Sequence, residues 1–332
     1  MIQGSENDMR VLSGIQPSGR LHIGNYFGAM RQHLSLQKEN ESLYFIANYH
    51  ALTSLTDPAL VRQYTLDVAL DYLALGLDPK KTVFFRQSDV PAVCELSWIL
   101  ACVTPMGLLE RCVSFKDKVQ KGIAANAGLF TYPVLQAADI LIYRSNLVPV
   151  GADQKQHIEV TRDIAVKFNQ TYGETLVVPE PHILAEVATV PGLDGQKMSK
   201  SYDNTIEIFA EPAPLKKRVM RIVTDSTPVE APKDPTKDNV FALLKLVASP
   251  EETAEWAAKY RAGGTGYGEA KKRLAELLDQ YFAPYRAKRK ELEKDPAYVE
   301  DVLADGGRRA RAIADPVMED VRKATGLVVA KK

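Results

Sequence analysis

The feature that most constrains the fold is an alternation of short strand-like segments with longer helical stretches in the first half of the chain. The strand-like segments are Val11–Gly14, Leu43–Ala47 and Thr82–Arg86. Between them, residues 23–38 and the stretch that begins at Pro58 carry apolar side chains at helical spacings. This order favours a parallel sheet with right-handed crossovers, and strands that are apolar almost throughout indicate a sheet covered on both faces.

The same alternation resumes after the third strand-like segment. Helical patterns cover about residues 93–103, 129–144 and 153–168, and Leu147–Val150 is a fourth strand candidate. From Pro214 onward the pattern is helical and contains no convincing strand. We therefore predict the α/β class, with a parallel-sheet domain followed by a helical domain.

The predicted domain boundary lies between residues 205 and 206. Residues 1–205 then form the parallel-sheet domain, with an insertion at about residues 90–130, and residues 206–332 form the helical domain. The formal net charge of the chain is +0, so composition alone gives no argument for a nucleic-acid partner.

Composition also bears on the compartment. No apolar run reaches the roughly 18 residues that a membrane-spanning helix needs. The polar stretch from Met1 to Met9 does not resemble a signal peptide. Cys94, Cys102 and Cys112 form no CxxC pair and have no zinc-site spacing, which is typical of free thiols in a reducing compartment. We expect a cytoplasmic protein without a membrane segment or a protein-bound metal.

The first motif follows the first strand and reads GIQPSGRLHIGN over residues 14–25. It is not a Walker-type phosphate loop, because the chain contains no GxxxxGK[ST] sequence. Gly14 lets a ligand approach the end of the strand, while Pro17 and Gly19 are typical of a tight turn. The segment therefore predicts a strand–turn–helix unit that is open to a ligand.

His22, Gly24 and Asn25 fall at the start of the predicted helix, where unpaired backbone N–H groups attract anions. His22 and Asn25 lie three residues apart on one helical face, so both can donate to one phosphate group. Gly24 leaves room for a flat ring against the backbone. The alternative is an ordinary βα turn in which His22 is a surface residue.

The second motif, Lys197-Met198-Ser199-Lys200-Ser201, concentrates cationic and hydroxyl groups in a short loop. Such a loop suits the β- and γ-phosphates of a nucleotide if it can move to meet them. A lysine pair at this spacing is otherwise usually solvated surface. Its position at the end of the same α/β domain as the first motif favours the phosphate interpretation.

PSGRLHIGN together with KMSKS resembles the paired HIGH and KMSKS signatures of class I aminoacyl-tRNA synthetases. Asn25 stands where the second histidine of HIGH would be, and KMSKS matches at every position. The segments GIQPSGRLHIGNYFGA, TYPVLQAADILIY and PVGADQKQH are similar to the bacterial-type tryptophanyl-tRNA synthetase family. The similarity covers about residues 12–204 clearly and the helical part more loosely, where GTGYG resembles a family loop.

The resemblance implies a Rossmann-like catalytic domain and a helical domain that recognises the anticodon of tRNA(Trp). It implies that ATP and Mg²⁺ are used to convert L-tryptophan to its adenylate with release of pyrophosphate, before transfer to the tRNA. It further implies a homodimer. The insertion segment Trp98–Cys112 is more apolar than a surface loop should be, which agrees with a dimer interface.

The resemblance also assigns residues by position. The groups implied to act in catalysis are His22, Asn25, Lys118, Lys197 and Lys200. Those implied to bind ATP are Gln16, Pro17, Ser18, Gly24, Asn25, Gly151, Ala152, Asp153, Val190, Lys197, Met198, Ser199, Lys200 and Ser201. Those implied to bind tryptophan are Gly14, Gln16, Tyr132, Gln136, Asp139 and Gln154.

Asp139 is the residue that the resemblance assigns to the indole N–H of tryptophan. From the residues alone it can equally be a helix N-cap or half of a surface ion pair, although its apolar neighbours argue against full exposure. The chain departs from the family at two of its site positions. Gln136 stands where many relatives have methionine, and Ala152 stands where many have glutamate.

Three other functions fit part of the pattern. A tyrosyl-tRNA synthetase shares the fold and both motifs, but AADIL and GADQ argue against it. A small-molecule adenylyltransferase needs neither KMSKS nor the helical domain, and a synthetase paralogue can adenylate without charging tRNA. Basic clusters at residues 271–273, 286–290 and 308–311 are candidates for tRNA phosphates, with solvated helix faces as the alternative.

Overall fold

The computed structural model describes residues 10–112, 126–150, 155–183 and 190–327, with backbone only at 150, 155 and 180–183. Its internal contacts divide the chain into two compact units. The sheet unit consists of Met1–Gly19, His33–Ala185 and Asp295–Lys332. The helical unit consists of Arg20–Gln32 and Glu186–Lys294.

Five parallel strands form one sheet in the sheet unit, in the order β3-β2-β1-β4-β5. They are β1 (Arg10–Ile15), β2 (Glu41–Ile46), β3 (Thr82–Arg86), β4 (Leu147–Val150) and β5 (Glu180–Ile183). The chain runs outward from β1 to β3 on one side and from β4 to β5 on the other. The strand order therefore reverses between β1 and β4, and in open α/β sheets ligands bind at the carboxyl ends of strands at such a reversal.

The α/β prediction is confirmed, and the four predicted strands coincide with β1 to β4 to within two residues. Strand β5 was missed. Its sequence carries Pro181, which cannot donate a ladder hydrogen bond and therefore weakens any local strand pattern. Pro181 is tolerated here because, in the part of the chain that the structure describes, β5 is an edge strand that pairs with β4 alone, with Pro181 opposite Val148.

The helical segments alternate with the strands and then continue alone. In chain order they are α1 (Ile23–Asn25), a π-helical turn (Tyr26–Met30), α2 (Arg31–Leu36), α3 (Asn48–Ala51), α4 (Pro58–Ala74), α5 (Ala92–Ala101), α6 (Met106–Glu110), α7 (Ala127–Leu141), α8 (Lys155–Tyr172), α9 (Pro212–Val219), α10 (Asn239–Leu244), α11 (Pro250–Ala262), α12 (Tyr267–Leu292) and α13 (Pro296–Ala324). Among the described residues, none of these helices is both long and apolar enough to cross a membrane.

Helix α4 shows how local sequence signals set the two ends of a helix. Asp57 caps the helix by accepting the N–H of Ala59 at 2.7 Å, and Pro58 occupies the first turn, where its missing N–H is harmless. Gly76 follows the helix with φ of 103°, a conformation that glycine adopts without strain. Both boundary signals are short-range, so they are readable without the tertiary structure.

Helix α13 packs directly on β3, so the C-terminal helix belongs to the sheet unit. Gly306 permits this approach, because a Cβ atom there would lie 1.8 Å from the carbonyl oxygen of Phe84. Arg309 adds a hydrogen bond to the carbonyl oxygen of Pro79 at 2.8 Å. The two compact units therefore do not divide at the predicted boundary at residue 205, because the C-terminal helix α13 packs on a strand of the sheet.

The described part of the helical unit contains no strand outside isolated bridges. The π-helical turn joins its core, since the hydroxyl of Tyr26 lies 3.0 Å from that of Tyr281 and the Tyr26 ring meets Phe282 edge to face. Buried Arg286 donates to the carbonyl oxygen of Ala210 at 2.7 Å. Residues 20–32 thus pack within the helical unit, although only residues 16–19 separate them from β1 in the sequence.

Candidate active site

The sheet unit supplies the turn after β1. Gly14 is the penultimate residue of β1, and a Cβ atom there would lie 2.5 Å from the ring of Phe45. The backbone N–H of Ser18 donates to the carbonyl oxygen of Gln16 at 2.9 Å, and Gly19 has φ of 112°. Pro17 is buried within this turn, whereas Ser18 is exposed. The tight turn predicted from Pro17 and Gly19 is confirmed, and packing against Phe45 requires glycine at position 14.

Helix α7 carries three of the residues that the family resemblance assigns to tryptophan binding. Tyr132, Gln136 and Asp139 are spaced four and three residues apart, so they share one helical face. The hydroxyl of Tyr132 lies 2.8 Å from Nε2 of His157, and its ring meets that of His50 edge to face. Gln136 is half-buried, and Asp139 is only 2% exposed.

Two side chains from other parts of the sheet unit hold the carboxyl group of Asp139. Nε2 of His50 lies 2.9 Å from Oδ2. The side-chain amide of Gln87 donates to Oδ1 at 2.8 Å and to Oδ2 at 2.9 Å. The oxygen of that amide accepts the backbone N–H of Tyr49 at 3.0 Å, which fixes the nitrogen of Gln87 toward Asp139. The carboxyl group is therefore held in one orientation.

This geometry leaves one acceptor position. A carboxylate offers about four lone-pair sites, and among the described residues Gln87 and His50 occupy three of them, which leaves one site on Oδ1. Burial raises the pKa of Asp139, while the hydrogen bonds from His50 and Gln87 counteract that rise. Asp139 lies inside α7 and is buried, so it is neither a helix N-cap nor part of a surface ion pair.

Sequence reasoning missed both His50 and Gln87. Each follows the carboxyl end of a strand, because His50 lies just beyond β2 and Gln87 comes directly after β3. Polar side chains at the carboxyl ends of parallel strands are placed at the ligand-binding edge of the sheet. That position was the available signal for both residues.

The helical unit supplies the start of α1. The side-chain oxygen of Asn25 accepts the backbone N–H of His22 at 3.1 Å, so Asn25 caps the segment that His22 begins. His22 is 6% exposed, and its Nδ1 is buried without a hydrogen-bond partner among the described residues. Burial first, and then the charge of Lys200, lower the pKa of His22 to about 4. The imidazole is neutral at pH 7, so it can offer one N–H but no charge.

The helical unit also brings both motifs together. A Cβ atom at Gly24 would lie 2.8 Å from Nδ1 of His22 and 3.1 Å from Cβ of Met198. Any larger residue at Gly24 would therefore push against the histidine ring and the lysine loop, which we define as residues 191–201. His22, Gly24 and Asn25 thus lie beside Met198 and Lys200, two motifs that are about 170 residues apart in the sequence.

The lysine loop has a defined backbone. The N–H of Met198 donates to the carbonyl oxygen of Val190 at 2.9 Å, and both side chains are buried. Lys197 forms an isolated bridge with Pro191. Ser199 caps the short turn Lys200–Tyr202 by accepting the N–H of Ser201 at 3.3 Å. Lys197 and Ser201 are exposed, whereas Ser199 and Lys200 are half-buried.

The remaining assigned positions lie outside the described residues. They are Lys118, Gly151, Ala152, Asp153 and Gln154. The effect on ATP binding of having alanine at position 152, where many relatives have glutamate, therefore stays untested.

Several of the basic side chains that were candidates for tRNA contacts have partners within the protein. Arg273 pairs with Glu252 at 2.6 Å, and Arg286 pairs with Asp279. Arg311 donates to the carbonyl oxygen of Asp89 at 2.6 Å. These arginines stabilise the packing of α12 and α13, so the basic clusters are weaker candidates for phosphate contacts than their sequence suggested.

A Rossmann-like sheet, a lysine loop and a capped HIG segment define the class of this protein. The chain belongs to the family of class I tRNA synthetases for tryptophan and tyrosine (W and Y), whose family model matches residues 4–283. Within that family it is similar to the tryptophan–tRNA ligase of Rhodopirellula baltica, at 59% identity over 96% of this chain and 100% of that protein. The tryptophan–tRNA ligase of Fusobacterium nucleatum subsp. nucleatum is 55% identical over 96% of this chain and 98% of its own length.

A solved structure extends the likeness to three dimensions. The tryptophanyl-tRNA synthetase of Campylobacter jejuni, crystallised with ADP and tryptophan, superposes with a TM-score of 0.90 at 50% identity. The alignment covers 96% of this chain and 100% of that chain. The predicted family is therefore confirmed over nearly the whole sequence.

Proposed function

We propose that this protein is a tryptophan–tRNA ligase, which activates L-tryptophan with ATP and transfers it to tRNA(Trp). The observation that carries the choice of amino acid is the buried carboxyl group of Asp139, which has one acceptor position left for an indole N–H. The similarity to tryptophan–tRNA ligases over nearly the full chain supports the same choice. A tyrosyl enzyme and a paralogue without tRNA charging are the alternatives that the test below addresses.

The first step is attack of the tryptophan carboxylate on the α-phosphorus of ATP, which breaks the bond to the pyrophosphate oxygen. A carboxylate is already ionised at neutral pH, so the step requires no general base. The protein must align two anions and stabilise the charge that builds up on pyrophosphate. Lys197 and Lys200 supply positive charge for this purpose, and neutral His22 supplies an N–H donor.

The other ATP contacts follow from position. Gln16, Pro17 and Ser18 would border ATP from the turn after β1. Gly24 keeps the place beside the adenosine that the family resemblance assigns to it, although His22 and Met198 already fill the space that a Cβ atom would take there. Asn25 already uses its side-chain oxygen on the backbone of His22, so any donation to a phosphate comes from its NH₂ group. Lys118, Gly151, Ala152 and Asp153 keep the roles that the family resemblance assigns to them.

We expect Mg²⁺ to bind together with ATP. Among the described residues, no group of three or more histidine, cysteine, aspartate or glutamate side chains is placed to hold a metal ion. Mg²⁺ would therefore be held mainly by phosphate oxygens, where it neutralises negative charge.

Tryptophan selection depends on Asp139. The indole N–H would donate to the remaining site on Oδ1, and Gly14, Tyr132 and Gln136 would border the amino acid together with Gln154. Phenylalanine offers no donor, so it would leave a buried acceptor unsatisfied at a cost of about 1–3 kcal/mol or more. A site built to hydrogen-bond its substrate rejects such analogues without an editing domain.

Two further proposals concern partners and compartment. Trp98 and Met106 are 73% and 62% exposed, so α5 and α6 present apolar surface that a second copy of the chain would cover in a homodimer. Cys94 and Cys102 are exposed free thiols, which supports a reducing, cytoplasmic location.

The test is ATP–pyrophosphate exchange with tryptophan and, separately, with tyrosine, on the wild-type protein and on Asp139→Ala. We expect exchange with tryptophan alone and its loss in Asp139→Ala, because the substitution removes the indole acceptor. Asp301→Ala, which removes an exposed carboxylate of α13, is the matched control and should keep full exchange. Charging of tRNA(Trp) by the wild-type protein would then distinguish the ligase from an adenylating paralogue.

Exchange with tyrosine would mean that the specificity is wrong. Exchange with neither amino acid by folded wild-type protein would mean that the activation chemistry itself is wrong.

A further inference from the structure

We propose that Asn204 is a positioning residue that holds the lysine loop in the shape needed for adenylate formation. The proposal rests on the function proposed above and adds a residue that lies outside both signature motifs. Asn204 is 2% exposed, although it is polar and lies in a segment without regular secondary structure. A buried amide in such a segment is stable only when its donors and acceptors are satisfied.

Asn204 is satisfied entirely by the lysine loop. Its Oδ1 accepts the backbone N–H of Ser199 at 2.8 Å. Its Nδ2 donates to Oδ1 of Asp194 at 2.8 Å and to the carbonyl oxygen of Lys197 at 3.2 Å. Its own carbonyl oxygen accepts the N–H of Leu193 at 2.9 Å. One side chain therefore connects the turn at the start of the loop with the two residues on either side of Met198.

The loop is shaped around this amide. A Cβ atom at Gly192 would lie 2.3 Å from both Cγ and Nδ2 of Asn204, so the position next to the amide admits only glycine. The hydrogen bond from Asn204 also lowers the pKa of Asp194, which keeps that exposed carboxyl group ionised and the bond charge-assisted.

The residues on both sides of Asn204 are anchored to α9. Arg218 donates from Nε to the carbonyl oxygen of Thr205 at 2.8 Å and from Nη2 to the carbonyl oxygen of Asp203 at 2.6 Å. Asp203 has φ of 47°, which turns the chain so that these contacts form. Asn204 thus lies between two residues whose backbones are anchored to α9, and the lysine loop is bonded to this anchored segment.

The consequence for catalysis concerns the two lysines. Lys197 and Lys200 act by placing charge on the leaving pyrophosphate, and their backbone positions depend on the bonds that Asn204 makes to Lys197 and Ser199. A displacement of about 1 Å in a positioning element can cost roughly 100-fold in rate. The proposed tryptophan contacts belong to the sheet unit, so they do not depend on Asn204.

The experiment compares Asn204→Asp, Asp194→Asn and the double variant N204D/D194N in ATP–pyrophosphate exchange. N204D keeps the acceptor for Ser199, but it places a carboxylate oxygen against both Asp194 and the carbonyl oxygen of Lys197, of which D194N relieves only the first. We expect kcat to fall by about 100-fold while KM for tryptophan stays within about twofold. The double variant restores a donor–acceptor pair in the reverse direction, so it should regain roughly tenfold in kcat. D194N alone can still accept from Asn204 and should remain close to wild type.

Asn40→Asp is the control, because Asn40 is a half-exposed asparagine whose amide bonds only the carbonyl oxygen of Leu36. The thermal midpoint of every variant is measured alongside. The proposal is overturned if N204D keeps wild-type kcat, if its KM for tryptophan rises in parallel with the loss of kcat, or if the double variant regains nothing. The proposal is also overturned if N204D is unfolded at the assay temperature, because Asn204 would then be required for folding and not for positioning the loop. Failure of the proposed function would instead appear as absent tryptophan exchange in the wild type.

Discussion

At the scale of single residues, the proposed tryptophan site depends on how the carboxyl group of Asp139 is held. Gln87 is 1% exposed and donates to both oxygens of Asp139, while its own oxygen is fixed by the backbone N–H of Tyr49. Without Gln87, two acceptor sites on Asp139 would lose their donor among the described residues, and the proposed indole N–H would no longer have a single acceptor site to bind. Gln87 therefore determines how the carboxyl group of Asp139 is oriented and which of its acceptor sites stays unoccupied by the described residues.

We expect Gln87→Glu to raise KM for tryptophan by roughly 10- to 100-fold, because it places a second carboxyl group against Asp139 and removes a buried hydrogen bond worth about 1–3 kcal/mol. Pyrophosphate exchange at varied tryptophan concentration measures the effect. Gln170→Glu makes the same change at an exposed position of α8 and should leave KM unchanged. An unchanged KM in Gln87→Glu would show that the orientation of Asp139 does not control tryptophan binding.

At the scale of secondary-structure elements, the C-terminal helix is the part of the fold that sequence reasoning placed in another domain. Its helical pattern was correctly recognised, but nothing in a helical pattern states which surface it covers. Gly306 and Gly307 in the middle of α13 were the available signal, because adjacent glycines inside a helix indicate a close backbone approach.

We expect Gly306→Ala to lower the free energy of unfolding by about 3 kcal/mol or more, because the added methyl group would meet the backbone of β3, which cannot rotate away. Gly268→Ala is the control, since no atom lies within 4 Å of the added Cβ and alanine favours the helix by about 1 kcal/mol. Urea unfolding of both variants measures the difference. Equal stability of Gly306→Ala and wild type would contradict the packing of α13 on β3.

At the scale of the whole molecule, two buried histidines make stability depend on pH. His33 is 4% exposed, its Nδ1 lies 3.1 Å from the hydroxyl of Tyr72, and burial lowers its pKa from 6.5 to about 4. A histidine with a lowered pKa in the folded state binds protons more readily when unfolded. Its contribution to stability is therefore present above pH 6.5 and is lost as the pH falls from 6.5 to about 4. His22 acts in the same direction.

We expect the free energy of unfolding to fall by about 2 kcal/mol between pH 7 and pH 5 from His33 alone. His33→Phe should remove that part of the pH dependence, although it costs stability at pH 7 because the Tyr72 hydroxyl loses its partner. Urea unfolding at the two pH values separates the two effects. The same fall in the variant as in the wild type would assign the pH dependence to other groups.

Local signals in the sequence were sufficient for the strands β1 to β4, the ends of α4, the turn at Gly19 and the two signature motifs. Each of these depends on residues close together in the chain, where spacing, caps and glycine positions state the conformation directly. The family followed from the same contiguous segments.

Only the tertiary structure decided which distant residues hold those segments in place. Gln87 and Asp139 are 52 positions apart in the chain, and Asn204 holds the lysine loop from outside the motif that defines it. The same holds for Gly306, whose role depends on a strand that precedes it by more than 200 residues. Contacts of this kind leave no periodic pattern, because they depend on which distant elements the sheet and its helices bring together.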